Sequence, residues 1–134
     1  MDGLEALLIE RACERVVIDS ARCNDERQWA ELANLYTLAG VVVRPNGQRL
    51  EGREAIEAAY AAGSPDRVTR HLCTNLRVDV DGPDAAHSTT TVLIVAGTRS
   101  GDSDVTYRVG EFADRFERTD EGWRIAERRA SVLM

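Results

Sequence analysis

The sequence predicts an α+β fold, with helices first and a long antiparallel sheet after them. Three observations carry this. Apolar residues recur at helical spacing only in the first 62 residues or so, in stretches broken by Asn24-Asp25 and by Gly40. After Pro65 the period becomes two and β-branched residues gather, as in Thr89-Thr90-Thr91-Val92-Leu93-Ile94-Val95. Short turn sequences, Asp81-Gly82 and Thr119-Asp120-Glu121-Gly122, then join neighbouring strands, which suits an antiparallel meander.

Taken in order, residues 4 to about 23 read as the first helix, its apolar line running through Leu4, Leu8, Ala12, Val16 and on to Cys23. Asn24-Asp25 compete with the backbone for hydrogen bonds and break it. A second helix follows, with Asp25 as N-cap and Gln28 at the capping-box position. Trp29, Leu32, Ala33, Leu35 and Tyr36 form its apolar face, and Gly40 ends it. Val41-Val42-Val43 is a short strand, returned through Pro45-Asn46-Gly47 to Gln48-Arg49-Leu50. Arg53 to Ala62 is a third helix, closed by Gly63-Ser64-Pro65. Four strands complete the chain: residues 70–82, 85–98, 105–118 (with Gly110 expected as a bulge or bend) and 123–132. A polar loop is expected over 97–104. Successive strands on short turns should curl around the helices.

With 134 residues the chain is expected to be one domain, 1–134, large enough for a core and an internal cavity. A net charge of −6, with basic residues scattered among acidic ones, argues against nucleic acid as a partner. No apolar run approaches the ~20 residues that span a bilayer, so no membrane partner is expected. The acidic start Met1-Asp2-Gly3-Leu4-Glu5 does not read as a signal peptide. Cys13, Cys23 and Cys73 lack ligand or disulfide spacing, which fits a reduced, cytoplasmic chain. Two histidines 16 positions apart make a poor zinc site, and no glycine-rich phosphate loop follows a strand. Neither metal nor organic cofactor is expected.

Chemistry centres on the stretch Arg70 to Gly82. Period two puts Leu72, Leu76, Val78 and Val80 on one face, and His71, Cys73, Asn75, Arg77 and Asp79 on the other. An imidazole, with its ordinary pKa of ~6.5, can take a proton at neutral pH, and a carboxylate on its other ring nitrogen would fix the tautomer. A lone strand histidine is more often structural. Asp19 and His87 read as solvated, and a catalytic Cys73 would need an activating environment.

Five stretches, taken together, resemble the SnoaL-like branch of the nuclear transport factor 2 superfamily. They are C-N-D-E-R-Q-W from Cys23, G-R-E-A-I from Gly52, R-H-L-C-T-N-L-R-V-D-V-D-G from Arg70, G-E-F-A-D-R-F from Gly110 and E-G-W-R-I-A-E-R-R from Glu121. The resemblance implies a cone, a curved sheet and three helices around a pocket open at one end. It also implies cofactor-free proton abstraction followed by elimination, cyclisation or isomerisation. Scytalone dehydratase and γ-hexachlorocyclohexane dehydrochlorinase, in that family, carry an aspartate and a histidine at positions matching Asp25 and His71. These two are the implied catalytic pair, with Asn75, Trp29, Tyr60 and Glu127 as further pocket-lining candidates. The chain departs from the family elsewhere. Val95-Ala96-Gly97 replaces the second histidine of the dehydratase, and Asn24 replaces its tyrosine. Ser20 stands where the dehydrochlorinase has a lysine, and its last-strand arginine, counted four past the tryptophan, falls on Glu127.

Two functions follow. One is a lyase, isomerase or cyclase acting on a hydrophobic oxygenated molecule, polyketide- or terpenoid-like. The other is a non-catalytic domain that binds a ligand or a partner. Apolar residues on both parities of the strands 89–95 and 105–116 also predict a homodimer through the outer sheet face.

Overall fold

A computed structural model describes residues 1–101 and 104–134. Three helices come first, α1 (Gly3–Asp25), α2 (Trp29–Asn34) and α3 (Arg53–Ala61), with two strands, β1 (Tyr36–Val43) and β2 (Arg49–Glu51), between the second helix and the third. Four long strands follow: β3 (Arg67–Gly82), β4 (Ala85–Thr98), β5 (Thr106–Thr119) and β6 (Gly122–Val132). They make one curved, unclosed six-stranded sheet in the order β2-β1-β6-β5-β4-β3. All neighbours are antiparallel except β1 and β6, which run parallel. The loop expected over 97–104 contains Asp102 and Ser103, which lie outside the described residues. No described helix is long and apolar enough to cross a membrane.

The core forms where α1 lies in the concave side of the sheet. Ile9, Cys13, Val16 and Val17 of α1 meet Leu32 of α2, Ile56 of α3 and the strand residues Val78, Phe116 and Ile125. Each such side chain contributes about 1.5–3 kcal/mol by leaving water. The buried stripe of α1 is therefore not the expected one: Leu4 and Leu8 are exposed, and the stripe runs through Ile9, Cys13, Val17, Ser20 and Ala21.

Four further expectations are corrected. The second helix stops at Asn34, because Tyr36 opens β1 by pairing with Ile125 of β6, and the Ile125 N–H donates to the Leu35 carbonyl at 2.8 Å. Gly40 is then a strand residue; a Cβ there would sit 2.8 Å from the Tyr36 Cβ and 3.2 Å from the Ile125 carbonyl oxygen. Asp25 ends α1 rather than capping α2, whose cap residue is Gln28 without a side-chain hydrogen bond. Gly110 lies in unbroken pairing with Val92 and Val132; its missing side chain admits the Ser131 carbonyl oxygen, 2.8 Å from where a Cβ would be.

The bulges lie elsewhere and set which side chains face inward. Register shifts between Thr74 and Arg77, where Asn75 takes φ 49°, a left-handed conformation that Asn tolerates better than most residues. His71 and Cys73 therefore share the inner face with Leu76, Val78 and Val80, while Leu72 turns outward and is exposed. Between β5 and β6, Arg115 pairs with Glu127 but Phe116 pairs with Ile125, so Ala126 is the extra residue. Parity then changes, and Arg128 is buried inside while Glu127 joins the outer face.

Candidate active site

A cavity of about 290 Å³ occupies the open end between the helices and the sheet. The last turns of α1 contribute Ser20, Asn24 and Asp25. Trp29 and Tyr60 wall one side, and Tyr36, Phe112 and Arg128 form much of the floor. Thr69, His71 and Ile94 close the sheet side.

Asp25 and His71 are brought together although they lie far apart in sequence. The inward face of β3 passes the last residue of α1, and three hydrogen bonds converge on one carboxylate. His71 Nδ1 lies 2.5 Å from Asp25 Oδ1, the His71 backbone N–H donates to Oδ2 at 2.8 Å, and the Thr69 hydroxyl donates to Oδ1 at 2.9 Å. The two side chains are only 11% and 10% exposed. Burial alone would raise the Asp25 pKa, but the hydrogen bonds from the His71 ring and backbone and from Thr69 outweigh it and hold the carboxyl below its usual range. An ionised carboxylate only accepts, so Nδ1 carries the proton. Nε2 keeps its lone pair and has no partner among the described residues.

Of the other pocket candidates, Trp29 and Tyr60 line the cavity, their rings stacked at 6.4 Å and 25°. Asn75 does not: it sits on the bulge, exposed, and its contribution is the left-handed turn that points His71 inward. Glu127 does not either, because the Ala126 bulge sends it to the outer face, where it pairs with Arg129 at 2.9 Å. Cys73 packs against the core; its thiol is raised by burial, opposed by Arg128 and reinforced by Asp25 and Asp114, which keeps it protonated.

Sequence reading missed Arg128 and Tyr36 as cavity residues. Arg128 Nε and Nη2 reach Asp114 Oδ1 and Oδ2 at 2.8 and 2.9 Å, a bidentate pair with side chains 5% and 0% exposed. Its guanidinium lies 4.0 Å from the Phe112 ring centroid. Burial would weaken its hold on the proton, but Asp114 more than compensates, so the cation is permanent. Burial raises the Tyr36 hydroxyl pKa further above its ordinary value, against the opposing pull of Arg128, so this group stays protonated. That hydroxyl is buried beside Arg128 and makes no hydrogen bond of ordinary geometry among the described residues. Ser20 is buried and its hydroxyl is turned back onto the Val17 carbonyl at 2.6 Å, so α1 places no cation here. Among the described residues no cluster of three metal-binding side chains occurs.

The arrangement is a cavity at the open end of a curved sheet, lined by one buried His–carboxylate pair and a fixed cation. The chain belongs to the SnoaL-like domain family, whose sequence profile matches residues 5–129. Three solved structures share the fold. An NTF2-like protein with a cystatin-like fold from Novosphingobium aromaticivorans is 23% identical, with TM-score 0.82, over 95% of this chain and 84% of that one. The hexachlorocyclohexane dehydrochlorinase LinA-type3 from Novosphingobium barchaimii is 18% identical, with TM-score 0.87, over 99% and 92%. ActVI-ORFA from Streptomyces coelicolor is 14% identical, with TM-score 0.78, over 92% and 96%. No curated protein sequence matches the chain.

Proposed function

We propose that this protein is a small cofactor-independent lyase, isomerase or cyclase, with His71 as general base and Asp25 as the group that orients it. The observation that carries the reading is the Asp25–His71 geometry: Nδ1 held at 2.5 Å by a carboxylate and Nε2 left free on a residue that lines a cavity. In such a site Nε2 removes a proton from carbon next to a carbonyl or a leaving group. The negative charge that develops on the substrate oxygen lies in the field of the Arg128 guanidinium, which is fixed before substrate arrives, with the buried Tyr36 hydroxyl beside that cation. The imidazolium then returns its proton to the leaving group or to another carbon, giving elimination, isomerisation or ring closure. About 290 Å³ is roughly ten water volumes, which suits a one- or two-ring molecule.

The test is turnover of a panel of hydroxylated ketones and cyclic β-hydroxycarbonyl compounds, followed by mass spectrometry and by solvent deuterium uptake. Proton exchange by the parent and its loss in His71→Gln support the reading; exchange that persists in His71→Gln removes His71 as the base. The second reading, a ligand-binding domain without turnover, draws on a different observation: His71 is the one histidine lining the cavity. It wins if ligands bind and none exchanges.

We also propose a homodimer through the outer sheet face. Leu72, Leu93 and Val109 stand in one register row there and Val95 beside Tyr107 in the next, with Leu72 and Tyr107 exposed. Light scattering that gives a monomer mass near 14.8 kDa rejects it.

A further inference from the structure

The rim of the cavity has a charge its floor does not account for. Four arginines line the cavity, Arg27, Arg44, Arg67 and Arg128, against one carboxylate, Asp25. Arg128 is neutralised by Asp114. Arg27, Arg44 and Arg67 take part in no ion pair among the described residues; the same holds for Arg11, Arg15, Arg70, Arg99, Arg108 and Arg124, none of which lines the cavity, so what sets these three apart is that they share one opening. In a chain of net charge −6, these three cations gather at one opening whose lining holds a single carboxylate, Asp25.

Two of these side chains, Arg27 and Arg44, are also held in place. Arg27 lies over the Trp29 ring at 5.2 Å and Arg44 over the Tyr60 ring at 4.9 Å, so the stacked Trp29–Tyr60 pair carries a guanidinium on each ring. Arg44 Nη1 also donates to Gln48 Oε1 at 3.2 Å, and Arg27 Nη1 to the Arg67 carbonyl at 3.5 Å. Stacking engages a guanidinium's face and leaves most of its N–H edge free for an oxyanion. Arg27 bears a backbone cost as well. It follows the end of α1 at φ 60°, a left-handed conformation where glycine is the usual residue and a side chain is disfavoured by about 1–2 kcal/mol. An arginine kept there points to a use for its side chain.

We propose that this rim is an anion-binding collar, and that the ligand of the cavity is a small ring compound bearing a carboxylate or a comparable oxyanion. This rests on the reading of the cavity as a ligand site. The ring portion enters between Trp29, Phe112 and Ile94, and the anionic group stays at the half-exposed opening among Arg27, Arg44 and Arg67. There it neutralises the collar without the cost of burying a charge at the floor. The long-range field of the collar also draws anions toward the opening.

Isothermal titration with 2-naphthoate, 2-naphthyl phosphate and the neutral 2-naphthamide tests this. At low salt the parent should bind at least one of the anions about tenfold more tightly than the amide, and added salt should shrink the ratio. The better anion identifies the oxyanion class, and either choice keeps the collar. Arg44→Gln and Arg27→Gly should each lower the preference several-fold while leaving amide affinity unchanged. Arg27→Gly should not lower the melting temperature, since it relieves the left-handed residue, which separates lost binding from lost folding. Arg115→Gln, on the outer face, removes the same charge and should leave the preference intact. His71→Gln should keep the anion preference even where turnover is lost, so the collar and the catalytic reading fail separately. Equal binding of amide and anions, no binding of any of the three at millimolar concentration, or the same loss in Arg115→Gln as in Arg44→Gln overturns the proposal.

Discussion

His71 with Asp25, and His87 with Asp81, are two versions of one contact on opposite faces of one sheet. In each, Nδ1 meets a carboxylate, at 2.5 Å inside and 2.8 Å outside. Inside, the partners are 11% and 10% exposed, the carboxylate takes three hydrogen bonds, and Nε2 is free beside a cavity. Outside, they are 50% and 45% exposed, and His87 Nε2 lies 3.7 Å from Asp79, its cross-strand neighbour. Water screens the outer pair, and a second carboxylate competes for its ring. A His–Asp contact is therefore no functional signal by itself. Enclosure, a satisfied carboxylate and a free second nitrogen make the difference.

The sharpest way to break this comparison is to change each histidine alike. His71→Gln should lower turnover by roughly 10²–10⁴, and His87→Gln should leave it unchanged; equal losses in a rate assay would erase the distinction. The same inside–outside contrast applies to arginine. Arg128→Met leaves Asp114 buried and unpaired and should cost about 3–5 kcal/mol in urea unfolding. Arg49→Met removes an exposed pair with Glu51 and should cost no more than about 1 kcal/mol. The smallest effect is a dependence on pH. The Asp25 carboxyl is held below its ordinary value in the folded chain, so its stabilising contribution is complete above the unfolded pKa of ~3.9 and is lost as pH falls through the folded one. The melting-temperature gap between the parent and Asp25→Asn should therefore hold at neutral pH and close below about pH 4. A gap that stays constant to lower pH would mean Asp25 is not held as an ion.

Much of the fold was legible, because helix and strand periods differ and the turn at Asp81-Gly82 and the one at Thr119 to Gly122 are chemically explicit. The inward face was less so. One extra residue at Asn75 and one at Ala126 reverse strand parity, and a period-two count has no means of seeing them. That count placed His71 opposite the core-facing residues of its strand and put Glu127 where Arg128 belongs. A non-glycine residue that tolerates the left-handed region, Asn75, was the one available hint of the first bulge. Tyr36 was hidden for another reason: its strand exists through pairing with β6, near the other end of the chain, and local propensity still favoured helix.

That parallel β1–β6 pairing orders events in time. Contacts among β3, β4 and β5 are hairpin-local, and α1 can meet β3 once both have emerged from the ribosome. β1 can pair early with β2, but its other edge must wait for the last strand, and the entropy of closing so long a loop falls due at the end. Tyr36 and Arg128 stand on those two strands, so the cavity floor is completed last, after the His71–Asp25 contact is possible. Pulsed hydrogen exchange during refolding should show the β3–β4 amides protected before those that join β1 to β6. A chain interrupted before Trp123 would thus carry its base without the wall that faces it.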